Sequence, residues 1–267
     1  MLDIAAPYRP LFETLDLTSF DSIAGRFTAG PPAATGVLVR GHTLAVAGPA
    51  PLDLDLFFKQ YDYRPASWRF LGRSSKARRE YQNYRVFLEL GIPCAQPVAC
   101  GEARDPLGRI RRAFIITRAI PDASTLLEFV ARHCPLGAGG PARNLRSALR
   151  RQLAAMTRRL HQAGFFHNDL VWRNILATWT PPSPPSLWWI DCPRGAFHRW
   201  PVGRRRRVWK DLASLDKSAS KCCTRAERVA FLLEYLGERR LTPSAKRLIR
   251  EVQAYRRARW PEDWHRT

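Results

Sequence analysis

The sequence predicts an α+β protein with two lobes, a β-rich first lobe over residues 1–120 and a mainly helical second lobe over residues 121–267. Runs rich in β-branched and aromatic residues, such as LDLDLFFKQY and RRAFIITRAI, fall in the first lobe. In the second lobe apolar residues recur at helical spacing, most clearly in LRSALRRQLAAMTRRLHQAG. With 267 residues and 45% hydrophobic content, the chain has enough apolar side chains for both.

Alternation and turn residues predict the elements of the first lobe. Two short strands, residues 36–40 and 43–47, are predicted on either side of a turn at Gly41 and His42. LDLDLFFKQY alternates apolar and polar residues, as a half-buried strand does, and Lys59 lies at its end. SKARREYQNYRVFLELG predicts a helix that closes at Gly91. Two further strands are predicted in PCAQPVACGEA and RRAFIITRAI.

Helical spacing and capping residues predict the second lobe. A helix is expected to begin in PDASTLLEFV, and a hairpin is expected from residues 175–177 and 187–190. Thr224 with Glu227 forms a capping box, and Thr242 followed by Pro243 begins a further helix. The longest helix is predicted to end at Gly164 and to bury one apolar stripe: Leu145, Leu149, Leu153, Met156 and Leu160.

Five polar residues in a fixed order predict a site for phosphoryl transfer. This reaction requires a lysine on the nucleotide phosphates, carboxylate and amide ligands for magnesium, and an aspartate at the acceptor hydroxyl. Lys59 ends a strand, and Glu80 on the next helix is placed to pair with it on ATP. Asp169 and Asn174 have the spacing HxDxxxxN, and Asp191 follows the apolar strand LWWI. The pattern predicts Asp169 as the catalytic aspartate, Asn174 and Asp191 as Mg²⁺ ligands, and ATP with Mg²⁺ as cofactors.

Single residues of this pattern also have simpler interpretations. Taken alone, Lys59 could be an ordinary surface lysine at the end of a strand, and Glu80 a charged residue on a helix surface. Asp191 alone could be a turn residue. Arg173, next to Asn174, is a second catalytic candidate, since its guanidinium is placed to reach the γ-phosphate. A salt bridge within the loop explains Arg173 equally well. His167 is expected to pack and orient the loop rather than to act as a base.

The sequence also departs from this pattern in three places. No GxGxxG motif precedes Lys59, and we place the phosphate-covering hairpin at residues 40–43. DCPRG stands where DFG is usual, with Gly195 as a displaced glycine, and no APE sequence follows. Because the segment between Asp191 and Asp211 is short, a protein substrate is less favoured.

HNDLVWRNIL, WIDCPRG and RRRRVWKDLASLDKSA together resemble the lipopolysaccharide core kinases, the Kdo/heptose kinase family of Gram-negative bacteria, over roughly residues 54–236. The catalytic loop is also similar to HRDLAARN of tyrosine kinases, but KDLASLDKSA favours the lipopolysaccharide group. The resemblance implies a protein-kinase-like fold with an ATP-binding first lobe and a catalytic second lobe. It implies that the acceptor is a Kdo or heptose hydroxyl of the inner core, or a lipid A-linked sugar. It also implies that Asp211 anchors the catalytic loop.

Charge and composition predict the partners. With 44 basic and 23 acidic residues the net charge is +21, which favours polyanions. Arg204 and Arg207 bound a basic run that is expected to attract an acidic acceptor. No apolar run approaches the ~20 residues of a membrane span, so we expect a cytoplasmic protein held peripherally at the anionic inner membrane. Four tryptophans are compatible with either a position at the membrane interface or packing in the core: Trp200, Trp209, Trp260 and Trp264.

Two rival functions stay open. A phosphotransferase of the aminoglycoside or choline type uses the same HxDxxxxN loop, but its cationic acceptors would be repelled by a chain of net charge +21. A catalytically inactive basic scaffold that binds polyanions is the alternative from another class. Nucleic acid is not expected as a partner, because the sequence has none of the usual nucleic-acid-binding motifs.

Overall fold

The computed structural model describes residues 1–28, 37–46, 52–63 and 70–263, and the chain divides into two compact units. The first unit consists of Met1–Val86 and Ala95–Ile120, and the second of Phe87–Cys94 and Pro121–Thr267. The stretch Phe87–Cys94 therefore belongs to the second unit, although it precedes residue 120 in the sequence.

An antiparallel sheet forms the centre of the first unit. In the described residues it has the strand order β1-β4-β5-β3-β2. The predicted alternation of buried and exposed residues in LDLDLFF is confirmed, since Leu54, Leu56 and Phe58 are buried. Lys59 lies inside its strand, three residues before the end, rather than at the end. The strands are β1 Leu2–Ile4, β2 Val37–Val46, β3 Leu52–Asp62, β4 Pro97–Arg104 and β5 Ile110–Arg118.

The predicted turn at Gly41 and His42 is wrong, because β2 passes through both residues without a break. Gly41 lies opposite Phe57 and His42 opposite Leu56, so the ladder to β3 satisfies backbone groups that a turn would leave to water. The phosphate-covering hairpin placed at residues 40–43 is wrong for the same reason. Residues 47–51, which connect the two strands, lie outside the described residues, as does Gly36.

The described helices that begin in the first unit are α1 Arg9–Thr14, α2 Phe20–Thr28 and α3 Lys76–Glu89, whose last three residues belong to the second unit. Only α3 was predicted, and it closes at Gly91 with a positive φ of 60°, as expected. The two short helices form part of the core through Phe12, Ile23 and Phe27, which cluster with buried side chains of the sheet. Their burial stabilises this unit through the hydrophobic effect.

Helices form most of the second unit, and their predicted start signals are present. Thr224 and Glu227 form a reciprocal capping box, and the Thr242 side chain accepts from the Ala245 amide. The predicted apolar stripe of the longest helix is buried along its whole length. The helices are α4 Leu126–His133, α5 Pro141–Gln162, α6 Arg204–Ala219, α7 Arg225–Leu236 and α8 Pro243–Arg259.

Short strands frame the loops of the second unit. The predicted hairpin is formed by β8 and β9, and β6 adds to it alongside β8. β7 pairs antiparallel with β10, which fixes the chain on both sides of residues 167–195. Among the described residues no helix is both long and apolar enough to span a membrane. The strands are β6 Ser124–Thr125, β7 Phe165–Phe166, β8 Ile175–Thr178, β9 Ser186–Trp189 and β10 Ala196–Phe197.

Candidate functional site

Lys59 and Glu80 form an ion pair within the first unit. The Lys59 Nζ lies 3.2 Å from the Glu80 Oε2, and the Glu80 side chain is only 3% exposed. Two buried hydroxyls also donate to this carboxylate, Tyr61 at 2.9 Å and Tyr84 at 3.0 Å. Neither tyrosine was predicted as part of the site. Because three donors hold the carboxylate, the lysine that pairs with it has a fixed anchor.

The loop after α5 brings Asp169 and Asn174 together. The Asn174 side-chain amide donates to the backbone oxygen of Asp169 at 2.9 Å, and the loop closes in a 3₁₀ turn at Trp172–Asn174. This hydrogen bond fixes the amide group, so that its oxygen is left as an acceptor. The Asp169 side chain is 29% exposed and is accessible to a substrate.

Asp191 is held next to this loop by the end of the β8–β9 hairpin. The Ile190 amide donates to the Asn174 backbone oxygen at 3.0 Å, so Asp191 follows directly on the residue bonded to Asn174. Asp191 has a positive φ of 55°, an uncommon conformation for a residue with a side chain, which sharply redirects the chain here. Local backbone strain of this kind clusters at functional sites.

Asp211, on α6, anchors the loop as the resemblance implies. Its fully buried carboxylate accepts the His167 and Asn168 amides, each at 2.8 Å, and lies 3.3 Å from the His161 Nε2. The other ring nitrogen of His161 is 2.9 Å from the Tyr235 hydroxyl. The anchor predicted for Asp211 is thereby confirmed.

Asn168 joins three segments, although no sequence pattern points to it. Its side-chain amide donates to the backbone oxygens of Phe166 and Arg194, at 3.1 and 3.0 Å. Its side-chain oxygen accepts from the Arg207 guanidinium at 2.9 Å. A positive φ of 65° at Asn168 is a conformation that asparagine tolerates better than most residues. Asn168 therefore positions the aspartate that follows it.

His167 packs in the interior, as expected, and is fully buried. Its ring stacks on Phe87 with a centroid distance of 6.1 Å and an interplanar angle of 14°, and meets Trp189 edge-on. Burial lowers the pKa of His167, against the opposing effect of nearby Asp211, Asp169 and Asp191. A neutral, packed imidazole therefore supports the loop.

Two arginines, Arg173 and Arg194, lie in or near the loop. Arg173 is exposed and forms no hydrogen bond or ion pair with any residue that the structure describes, so the loop salt bridge is not formed there. Its contact with a γ-phosphate stays a prediction. Arg194 of DCPRG instead lies near the aspartate, with its Nη1 3.9 Å from the Asp169 Oδ2. A single arginine in a turn offers no sequence pattern by which it could have been found.

Gly195 allows the segment after Asp191 to fold tightly. A Cβ atom at this position would lie 2.5 Å from the Cys192 Sγ and 2.7 Å from the Phe165 ring. No side chain fits there without displacing buried groups. This packing explains why glycine stands at the displaced position of the motif.

The donors present fit Mg²⁺ and nucleotide phosphates. Within the described ranges, no three or more His, Cys, Asp and Glu side chains group closely enough to hold a metal ion by themselves. Magnesium is usually bound by one or two carboxylates, with phosphates and water as the remaining ligands. The Asp191 carboxylate and the Asn174 amide oxygen are such a set, and the Lys59 ammonium is a suitable partner for phosphate.

Comparison with known proteins identifies relatives. The model of the lipopolysaccharide kinase (Kdo/WaaP) family matches residues 63–235, whereas no curated protein is found to match the chain. A solved structure of WaaP in complex with acyl carrier protein is 24% identical, covers 99% of each chain and has a TM-score of 0.67. The Mycobacterium tuberculosis PknI kinase domain, a double mutant, is 15% identical over 80% of each chain with a TM-score of 0.39.

The likeness to WaaP confirms the predicted α+β, protein-kinase-like fold. The matched family is the one that HNDLVWRNIL and KDLASLDKSA resemble, so this prediction is also confirmed. Since its model matches well over half of the sequence, the chain belongs to the lipopolysaccharide kinase (Kdo/WaaP) family.

Proposed function

We propose that the protein transfers the γ-phosphoryl group of ATP to a sugar hydroxyl, of Kdo or a heptose, in the lipopolysaccharide inner core. The observation that carries the proposal is that two hydrogen bonds hold Asn174 to Asp169 and to Ile190, the residue before Asp191. The Asn174 amide bonds to the Asp169 backbone, and the Asn174 backbone accepts from the residue before Asp191. An acceptor aspartate and two metal ligands are the groups that phosphoryl transfer requires.

In the proposed mechanism Asp169 orients the acceptor hydroxyl and takes its proton as the oxygen attacks. A bond forms between that oxygen and the γ-phosphorus, the bond to the bridging oxygen breaks, and ADP leaves. Lys59, held by Glu80, binds the nucleotide phosphates. Asn174 and Asp191 would hold Mg²⁺, which neutralises the charge of the phosphates when bound. Arg173 is proposed to reach the γ-phosphate.

Replacing Lys59 with methionine should weaken ATP binding by about 10- to 100-fold, the loss expected for a charge-assisted hydrogen bond. Titration with a fluorescent ATP analogue measures this effect, and the melting temperature reports whether the fold persists. Lys246→Met, at an exposed position of α8, is the matched control. Unchanged affinity in Lys59→Met would remove Lys59 from the nucleotide site.

Exposed apolar side chains support peripheral binding to an anionic membrane. Phe197, Trp200 and Val202 are 48%, 77% and 87% exposed, and the basic run that begins at Arg204 follows directly. Apolar side chains rimmed by cations are typical of surfaces that contact a membrane. Trp209 and Trp260 pack against the helical core instead, while Trp264 lies outside the described residues.

An acyl carrier protein is a candidate partner, because the similar WaaP structure is a complex with one. A cavity of about 620 Å³ in the second unit supports this candidate. Its lining includes Leu149, Leu153, Leu212 and Phe231, side chains that suit an acyl chain.

The direct test is a transfer assay with the full chain, labelled ATP and Mg²⁺. Deacylated inner-core oligosaccharides, native and dephosphorylated, serve as acceptors. We expect label to appear on the saccharide, in a product that resists peptidase and is cleaved by phosphatase. Mass spectrometry and NMR of that product identify the sugar and the hydroxyl.

The rival functions give different results in the same assay. Transfer to kanamycin or choline, without transfer to the oligosaccharides, would assign the protein to the small-molecule phosphotransferases. Failure to bind ATP would leave the inactive basic scaffold as the better explanation. Binding of ATP without transfer to any core oligosaccharide would overturn the proposed acceptor class.

A further inference from the structure

The arginine run at the start of α6 divides into residues with structural partners and residues without them. The Arg204 guanidinium donates to the backbone oxygens of His161 and Gln162, at 2.7 and 3.2 Å, and so caps the end of α5. Arg205 forms an ion pair with Glu251 and lies over the Trp209 ring at 5.7 Å. The fold itself accounts for these two residues.

The next cations of the helix line a cavity of about 370 Å³. Arg206, Arg207 and Lys210 contribute their side chains, and none of the described residues lining this cavity is acidic. Within the described part of the chain, Arg206 forms no hydrogen bond or ion pair, and Lys210 forms no salt bridge. The remaining lining residues are His198, Val202, Gly203 and Tyr255.

Such an arrangement is unfavourable without an anion. Arg206 and Lys210 are four residues apart on one helix, a spacing at which like charges repel. Lys210 is also half-buried, and burial lowers its pKa, as do the neighbouring Arg207 and Arg194. A bound anion would relieve both the repulsion and the cost of burying the ammonium group.

The cavity lies beside the loop that carries Asp169. Arg207 lines the cavity and donates to the Asn168 side chain at 2.9 Å, one residue before that aspartate. Asp169 and Asp211 both oppose the lowering of the Lys210 pKa, so their carboxylates are close enough to act on it. A group bound here therefore lies near the proposed acceptor position.

We propose that this cavity binds an anionic substituent, a phosphate or a carboxylate, on the saccharide whose hydroxyl receives the phosphoryl group. Arg206, Arg207 and Lys210 bind the anion, and Tyr255 lines the space beside it. The inference rests on the proposed function and adds a requirement to it. The acceptor must already carry the anionic group, and where that group is a phosphate, the reaction that installs it must precede this transfer.

Acceptor kinetics test the proposal with the full chain. Three acceptors are compared: a deacylated inner-core oligosaccharide whose acceptor hydroxyl is free, the same after dephosphorylation, and the same after carboxyl reduction. With the wild type, one of the two modified acceptors should show a KM at least about 30-fold higher, since charge-assisted hydrogen bonds are lost. The double variant Arg206→Gln/Lys210→Gln should show this higher KM with the unmodified acceptor as well, with an unchanged KM for ATP.

A matched control separates this effect from the loss of net charge. Lys246→Gln/Arg247→Gln removes one lysine and one arginine from exposed positions of α8 and should behave as the wild type. Equal KM values for all three acceptors with the wild type would overturn the subsite. So would a double variant that matches the control, or one that loses affinity for ATP alone.

A binding measurement separates this proposal from the proposed function. Saturation-transfer NMR with glucose 6-phosphate, and glucose as the neutral counterpart, requires no turnover. We expect a signal from glucose 6-phosphate with the wild type and with the control, and its loss in Arg206→Gln/Lys210→Gln. Equal signals in all three proteins would overturn the anion subsite even if transfer to core sugars is observed. Loss of the signal in the double variant alone would support the subsite even if the acceptor class proves different.

Discussion

Replacing Asp169 with asparagine is expected to lower kcat for phosphoryl transfer by about 10²–10⁴-fold, the usual contribution of a positioned acid–base group. Asparagine keeps the size of the side chain but cannot accept the proton of the acceptor hydroxyl. The fold should persist, because among the described residues the Asp169 side chain forms no hydrogen bond and its one ion pair, with Arg194, is long at 3.9 Å. Initial rates at saturating ATP and acceptor measure the effect.

The matched control is Asp122→Asn. Asp122 is exposed, remote in sequence from the loop, and has a positive φ of 54° that asparagine tolerates. This variant removes the same charge and should keep the wild-type kcat. Equal ATP affinity in the wild type and both variants would show that the chemical step, rather than nucleotide binding, is affected. A wild-type kcat in Asp169→Asn would exclude Asp169 as the catalytic residue.

The local parts of the candidate site could be predicted from the sequence. Asp169 and Asn174 lie in one loop, and Asp191 directly follows a strand. Their spacing and order can therefore be recognised in the sequence itself. Capping signals such as Thr224 with Glu227 are local for the same reason. The roles assigned to Lys59, Glu80, Asp169, Arg173, Asn174 and Asp191 stay predictions until the variants are measured.

Features that depend on contacts distant in sequence could not be predicted. β1 exists because Leu2 and Ile4 pair with Gly101 and Ala99, and no local pattern marks so short an edge strand. Glycine favours turns, so the sequence predicts a turn at Gly41, whereas a continuous ladder to β3 keeps this residue extended.

Asn168 and Arg194 lie in motif segments, but their partners come from elsewhere. The Asn168 side chain meets Arg207 of α6, and Arg194 lies beside Asp169 across more than twenty residues of sequence. The arginine run gives the same lesson. Identical neighbours in the sequence cap α5, pair with Glu251 or line a cavity, according to the direction in which each leaves α6.

The second large effect concerns Asp211, whose replacement by alanine should lower the free energy of unfolding by about 2–6 kcal/mol, roughly 1–3 kcal/mol for each of the two backbone amides left without an acceptor. The carboxylate is fully buried and accepts two backbone amides of the loop, so its removal leaves both donors buried and unpaired. The His161 ring loses its neighbour as well. Urea unfolding followed by circular dichroism measures the stability, and kcat at low temperature measures activity in the folded protein.

Asp216→Ala, on the same helix, separates loop positioning from general loss of stability. Asp216 pairs with Arg228 and Arg256, and in the described part of the chain its side chain forms no hydrogen bond or ion pair with residues 167–174. Its loss should lower stability while kcat of the folded protein stays at the wild-type value. Asp211→Ala should lower both stability and kcat, because the backbone amides of His167 and Asn168 lose their acceptor. Asn168, and with it Asp169, is then no longer held in place. If Asp211→Ala instead retained the wild-type kcat while folded, the buried carboxylate would support the fold alone, and Asn168 with the β7–β10 ladder would be sufficient to position Asp169.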